Sequence, residues 1–173
     1  VPLRLSETQY TVVRAALDRT VPGDDLTPGA GEAGGADYVD GLLAAFNFDP
    51  PRVWAGGPTS GRHGGAATFD QWLELGPWEE RAWRARIEEW WIIYETGLAT
   101  LGEDFLELSE AEQSERLSTT SKEFRELLFT HACESLYGDP VYGGNRDGQA
   151  WQAIDFRGDV QPRGYTDEEV RAP

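Results

Sequence analysis

Apolar residues recur at helical spacing in five stretches of this chain, and continuous strand-like alternation is hard to find anywhere. The first stretch opens at Leu5-Ser6-Glu7-Thr8-Gln9-Tyr10, where Ser6 and Gln9 stand in capping-box positions and Leu5 is placed to staple onto Tyr10. Tyr10, Val13, Leu17 and Val21 then continue the stripe until Pro22-Gly23 stops it, so a helix is expected to about Thr20. A turn-dense loop follows through Pro28-Gly29-Ala30-Gly31. The second helix is expected from roughly Asp37 to Phe46, with Tyr38, Leu42 and Ala45 in one line and Val39, Leu43 and Phe46 beside it.

The strongest period lies between about Glu79 and Leu101, where Ile87, Trp90, Trp91, Tyr94, Leu98 and Leu101 recur at steps of three and four, with Gly102 fitted to cap the end. Ser109-Glu110-Ala111-Glu112 and Thr120-Ser121-Lys122-Glu123 read as two more capping boxes. They open a short helix to about Leu117 and a longer one to about Leu136, on which Phe124, Leu127, Leu128, His131 and Ser135 share a face. The pattern therefore predicts an all-α fold: a small helical bundle with long ordered loops and an extended carboxyl-terminal tail. The whole chain, 1–173, is read as one domain, with a helical core over about 6–136 and a loop-rich tail over about 138–165.

Two segments do not follow this period. Residues 47–80 are interrupted by Asp49-Pro50-Pro51, Gly56-Gly57-Pro58 and Gly64-Gly65, yet they hold Trp54, Phe69, Trp72 and Trp78. A connection this long is expected to pack in part, with the His63 neighbourhood the most mobile. The stretch from Gly138 to Tyr165 has six glycines and two prolines but also Tyr142, Trp151, Ile154, Phe156 and Tyr165. Disordered segments are poor in such residues, so this one is expected to form a defined surface against its own helices or a partner.

Charge narrows the partners. With 31 acidic against 15 basic residues the net charge is −16, which opposes nucleic acid and anionic membrane surfaces. No apolar run reaches the roughly 18 residues that suggest a span, and Val1-Pro2-Leu3-Arg4-Leu5 is not a signal peptide. The single cysteine, Cys133, rules out an internal disulfide and Cys-rich metal sites, and leaves two readings: a small buried hydrophobe, or an inter-chain disulfide.

Catalytic signals are sparse. His63 lies in a glycine-rich loop, His131 on or beside an apolar stripe, and no G-x-S-x-G occurs around any serine. Gly143-Gly144-Asn145-Arg146-Asp147-Gly148 is neither a dinucleotide fingerprint nor a calcium loop, because it follows a helix and lacks the alternating acidic ligands. No catalytic, cofactor or metal residue is therefore assigned. The aromatic content of 12%, spread over loops as well as helices, fits a binding surface.

Three regions resemble the gluconate 2-dehydrogenase subunit 3 family, the small or gamma subunits of flavin-dependent sugar dehydrogenase complexes. They are Val21-Pro22-Gly23-Asp24-Asp25 through Ala30, with Glu32-Ala33-Gly34 leading into the next helix; Gly102-Glu103-Asp104-Phe105; and Asp139-Pro140-Val141-Tyr142-Gly143-Gly144-Asn145-Arg146-Asp147-Gly148. The last is followed by Trp151, by Ile154-Asp155-Phe156-Arg157-Gly158 and by Pro162-Arg163-Gly164-Tyr165. The middle, 47–78, departs from the family by being longer and richer in Gly, Pro and Trp.

The resemblance implies a non-catalytic accessory subunit that binds a large FAD-containing flavoprotein of the glucose-methanol-choline (GMC) type and supports its folding, stability and export. FAD, the catalytic base and any haem would belong to partners, a cytochrome c subunit among them. It further implies a periplasmic or exported protein whose twin-arginine signal has been removed, a cytoplasmic location being the alternative. Contact or loop-ordering roles fall to Trp54, Trp72, Tyr142, Asn145, Trp151, Phe156 and Tyr165. Two rival readings are a free-standing hydrolase or isomerase using His63 with carboxylates such as Asp70, and a scaffold for a different enzyme.

Overall fold

The structure, a computed structural model, describes residues 1–56, 69–102, 104–156 and 171. Six α-helices run in chain order among them: α1 (Glu7–Thr20), α2 (Gly35–Leu43), α3 (Pro77–Leu101), α4 (Glu110–Ser118), α5 (Lys122–Tyr137) and α6 (Gln149–Ala153). The only β pairing among the described residues is an isolated antiparallel bridge between Ala55 and Trp72. The fold is an all-α bundle, as the periodicity predicts.

Capping explains most of the boundaries. Ser6 closes the expected box with Gln9, and Ser109 does the same with Glu112. One box is corrected: α5 is capped by Ser121, whose hydroxyl accepts from the Phe124 N–H at 3.1 Å, not by Thr120. Thr120 is used one helix earlier, where its hydroxyl donates to the Leu117 carbonyl at 2.7 Å and closes α4. The second helix also shifts. It begins at Gly35, ends at Leu43 and continues as a 3-10 turn over Ala45–Asn47.

In the bundle α1 packs on α2, α4 and α5, while α2 also meets α3 and α5. The core is closed by fully buried Leu17, Val39, Tyr94, Phe105, Phe124 and Leu128. At Gly97 of α3 any Cβ would run into the Phe124 ring, so the close approach of α3 and α5 depends on that glycine. The amino-terminal strand of chain is fastened by Asp40 of α2, whose buried carboxylate accepts the N–H groups of Leu3, Arg4 and Leu5 at 2.6–2.9 Å. That carboxylate thereby ties the segment before α1 onto the middle of α2.

The described part of the tail, to Phe156, carries short helical turns. Two 3-10 turns, Pro140–Tyr142 and Arg146–Gly148, lead into α6, which packs on α5. Gly144 lies directly on the α5 backbone at Ser135, where no side chain fits.

Candidate functional site

The aromatic residues of the middle segment converge on one face. Ala55 bridges to Trp72, which fixes Trp54 and Trp72 at neighbouring positions beside the tail. Tyr142 then joins them: its hydroxyl accepts the Ala55 N–H at 3.1 Å and its ring lies 5.6 Å from that of Trp72. On the other side Trp54 meets Trp83 of α3 edge to face at 5.4 Å, and Trp83 meets Trp90 at 6.1 Å. Rings at these separations and tilts attract through their quadrupoles as well as through buried area.

These rings line a groove of about 1310 Å³. Its walls are the segment Val1–Leu3, the α2 residues Asp37, Tyr38, Gly41 and Leu42, and the end of α5 at Cys133, Glu134 and Tyr137. The tail closes one side with Gly138, Asp139 and Val141 to Gly143. Pockets for small ligands span roughly 300–1,000 Å³, so this groove is large for a metabolite and suited to a length of polypeptide.

Beneath it lies His131, fully buried among Tyr38, Trp90 and Tyr94. Its Nδ1 is hydrogen-bonded to the Tyr94 hydroxyl at 3.0 Å, while Nε2 has no hydrogen-bond partner. Burial lowers its pKa from 6.5 to about 4, so the imidazole is neutral near pH 7. Tyr94 is pushed up by burial, and Tyr38 by burial and then by Glu134, whose carboxylate accepts the Tyr38 hydroxyl at 2.7 Å. Neither phenol ionises near neutral pH. This cluster is a packed support for the groove floor, with its imidazole shut off from solvent.

The sequence-selected residues divide into two groups. Trp54, Trp72 and Tyr142 line the groove, Trp54 being 44% exposed. Asn145 and Trp151 face inward. Asn145 is fully buried in left-handed backbone (φ 44°), donating to the Gly138 carbonyl and accepting the Ala150 N–H, both at 3.1 Å. Trp151 donates from its indole to the Tyr137 carbonyl at 2.7 Å and carries the half-exposed Phe156 edge-on at 5.1 Å. Asn145 and Trp151 order the loop, while the first three face the groove. Tyr165 and His63 lie outside the described residues, as does most of the stretch where His63 was expected to be mobile. Asp70 is exposed.

Cys133 lines the groove, half-buried, and its thiol is raised by burial and by the Glu134 charge. Sequence reasoning missed Tyr38, Glu134, Tyr137, Trp83 and Trp90 as groove residues. The i,i+4 spacing of Cys133 and Tyr137 on α5 was the available signal, since such pairs lie on one helix face. Among the described residues, no three His, Cys, Asp or Glu side chains gather as metal ligands would.

The comparison with known proteins turns on the stretch that builds this face. Residues 7–158, from the start of α1 past α6, match the family model described as gluconate 2-dehydrogenase subunit 3. The chain belongs to that family. No curated protein and no solved structure matches it. As a gluconate 2-dehydrogenase subunit 3 protein, the chain is an accessory subunit of a multi-subunit dehydrogenase, and no described helix is long and apolar enough to cross a membrane. The family match takes in the loop bearing Trp54 and Trp72, the α5 end and the folded tail, which together make the groove.

Proposed function

We propose that this chain is a non-catalytic subunit that binds a large FAD-dependent dehydrogenase of the GMC type, acting on sugars or polyols, through the aromatic groove. The observation that carries the reading is the convergence of Trp54, Trp72 and Tyr142, from two loops distant in sequence, on one open face of a family member. Tryptophan and tyrosine dominate the energetics of protein interfaces because they bury large area at little entropic cost. Flavin, catalytic base and any haem electron relay belong to the partners in this scheme. This chain assists folding and export of the flavoprotein, and the family likeness supports a periplasmic or exported site of action. Cys133, on the α5 wall of the groove, is the candidate for a disulfide to a partner thiol.

The test is purification of the tagged chain from its native cells, with the bound polypeptides identified by mass spectrometry and flavin absorbance recorded. The expected result is a flavin-bearing dehydrogenase subunit retained by the wild-type chain and lost from a Trp54→Ala, Trp72→Ala double variant whose far-UV circular dichroism is unchanged. A non-reducing gel of the same complex reads the Cys133 link. Purification of the chain without any dehydrogenase subunit sinks the proposal.

A further inference from the structure

The groove is acidic as well as aromatic. Glu7, Asp37, Asp40, Glu134 and Asp139 line it, against one basic residue, Arg52. Arg52 is already placed, its guanidinium 3.6 Å from the centre of the Phe48 ring. Two of these carboxylates are oriented by neutral donors: Asp40 by three backbone N–H groups and Glu134 by the Tyr38 hydroxyl. Such hydrogen bonds fix an oxygen in position and leave its charge uncompensated. Asp37 has a cation against it, Arg146 at 3.2 Å.

The protein also shows how it packs guanidinium groups elsewhere. Arg4 lies 4.7 Å from the Trp91 ring centre, Arg84 4.1 Å from Phe46, and Arg86 4.9 Å from Trp83. Among the described residues no arginine covers Trp54, Trp72 or Tyr142. A groove of partly exposed aromatic faces with fixed carboxylates beside them is complementary to a cation that is flat, weakly hydrated and able to stack, which describes arginine better than lysine.

Resting on the accessory-subunit reading, we propose that the occupant of the groove is an arginine-bearing segment of the catalytic subunit, its guanidinium stacked on the Trp54, Trp72 and Tyr142 rings and paired with Glu134. The net charge of −16 adds long-range attraction for a basic patch and makes assembly sensitive to salt.

Two arms test this. In the first, the full chain is titrated with acetyl-Gly-Arg-Gly-Arg-Gly-amide and with the same peptide carrying citrulline, a neutral near-isostere of arginine, and tryptophan fluorescence is followed. At low salt the arginine peptide should bind at least about fivefold tighter. Glu134→Gln, which keeps an acceptor for Tyr38, should reduce that preference, and Trp54→Ala should abolish it. Equal binding of the two peptides, or no binding of either at millimolar concentration, overturns the proposal. In the second arm the native complex is exposed to rising salt, and affinity should fall on the order of tenfold as the Debye length shrinks from about 10 Å at 0.1 M to about 3 Å at 1 M. A dehydrogenase subunit that stays bound regardless of salt and of Glu134→Gln overturns the arginine assignment and leaves the accessory reading intact. A chain that binds the peptide but no dehydrogenase subunit overturns both.

Discussion

The core under α5 and the groove above it draw on the same aromatic residue types and end in opposite states. Below, Tyr94, Phe105 and Phe124 are wholly buried, and the Tyr94 and Phe124 rings meet edge to face at 5.7 Å. Above, Trp54 is nearly half exposed, and Trp72, Trp83, Trp90 and Tyr142 are only partly covered although they touch in two sets, Trp54 with Trp83 and Trp83 with Trp90, and Trp72 with Tyr142. One helix serves both: α5 buries Phe124, Leu128, Ala132 and Leu136 on one side and offers Cys133, Glu134 and Tyr137 on the other. Aromatic content alone therefore does not separate a core from an interface; what separates them is whether the opposite wall belongs to the same chain.

The largest break in this comparison should come from the closed side. Phe124→Ala removes a ring that fills the space left by Gly97, leaves a cavity between α3 and α5, and is expected to cost about 3–5 kcal/mol. Urea denaturation followed by circular dichroism reads that loss, and a midpoint equal to wild type would show that the ring is not part of the core. The next largest comes from pH at the boundary between the two regions. His131 has a folded pKa of about 4, below the ordinary 6.5, so the unfolded chain takes up its proton first as pH falls. Its contribution is fully present above pH 6.5 and is lost between 6.5 and 4, up to about 3 kcal/mol in all. In His131→Phe the stability-against-pH curve should be flatter across that window by this amount. Parallel curves for the two proteins refute the buried neutral imidazole.

Those two effects concern residues whose burial was legible from sequence, and the reason is periodicity. Phe124, Leu128, His131 and Ser135 fall on one helical face by arithmetic alone, and their burial follows. The groove was less legible because its rings come from loops, where no period operates. Trp54 and Trp72 stood out as large apolar residues in turn-rich chain, but nothing local said that an isolated bridge between Ala55 and Trp72 would set them side by side, or that the Tyr142 hydroxyl would reach Ala55. Asn145 shows the same limit from the other direction. Its place in a Gly-Gly-Asn turn made it a candidate contact, whereas the three-dimensional path of the tail folds its amide inward onto Gly138 and Ala150. The five-residue α6 escaped notice for a related reason: it is too short to show a stripe and is held by Trp151 bonding to Tyr137 rather than by its own propensity.

The smallest expected change in stability is also the one that sharpens the comparison most. Trp54→Ala takes away a side chain whose main described ring partner is Trp83, met edge-on, with the remainder of its surface open. An aromatic pair of this kind contributes about 0.5–1.5 kcal/mol when enclosed, and exposure places the loss at the low end, about 0.5 kcal/mol. The same deletion at a partner-covered hot spot removes 2 kcal/mol or more, roughly thirtyfold or more in affinity. A residue that evolution had placed to hold the bundle would show the reverse order, with stability falling further than binding. Measuring both quantities on one variant, by denaturation of the free chain and by affinity for the dehydrogenase subunit, therefore decides whether the open rings above α5 are an unfinished core or one half of an interface.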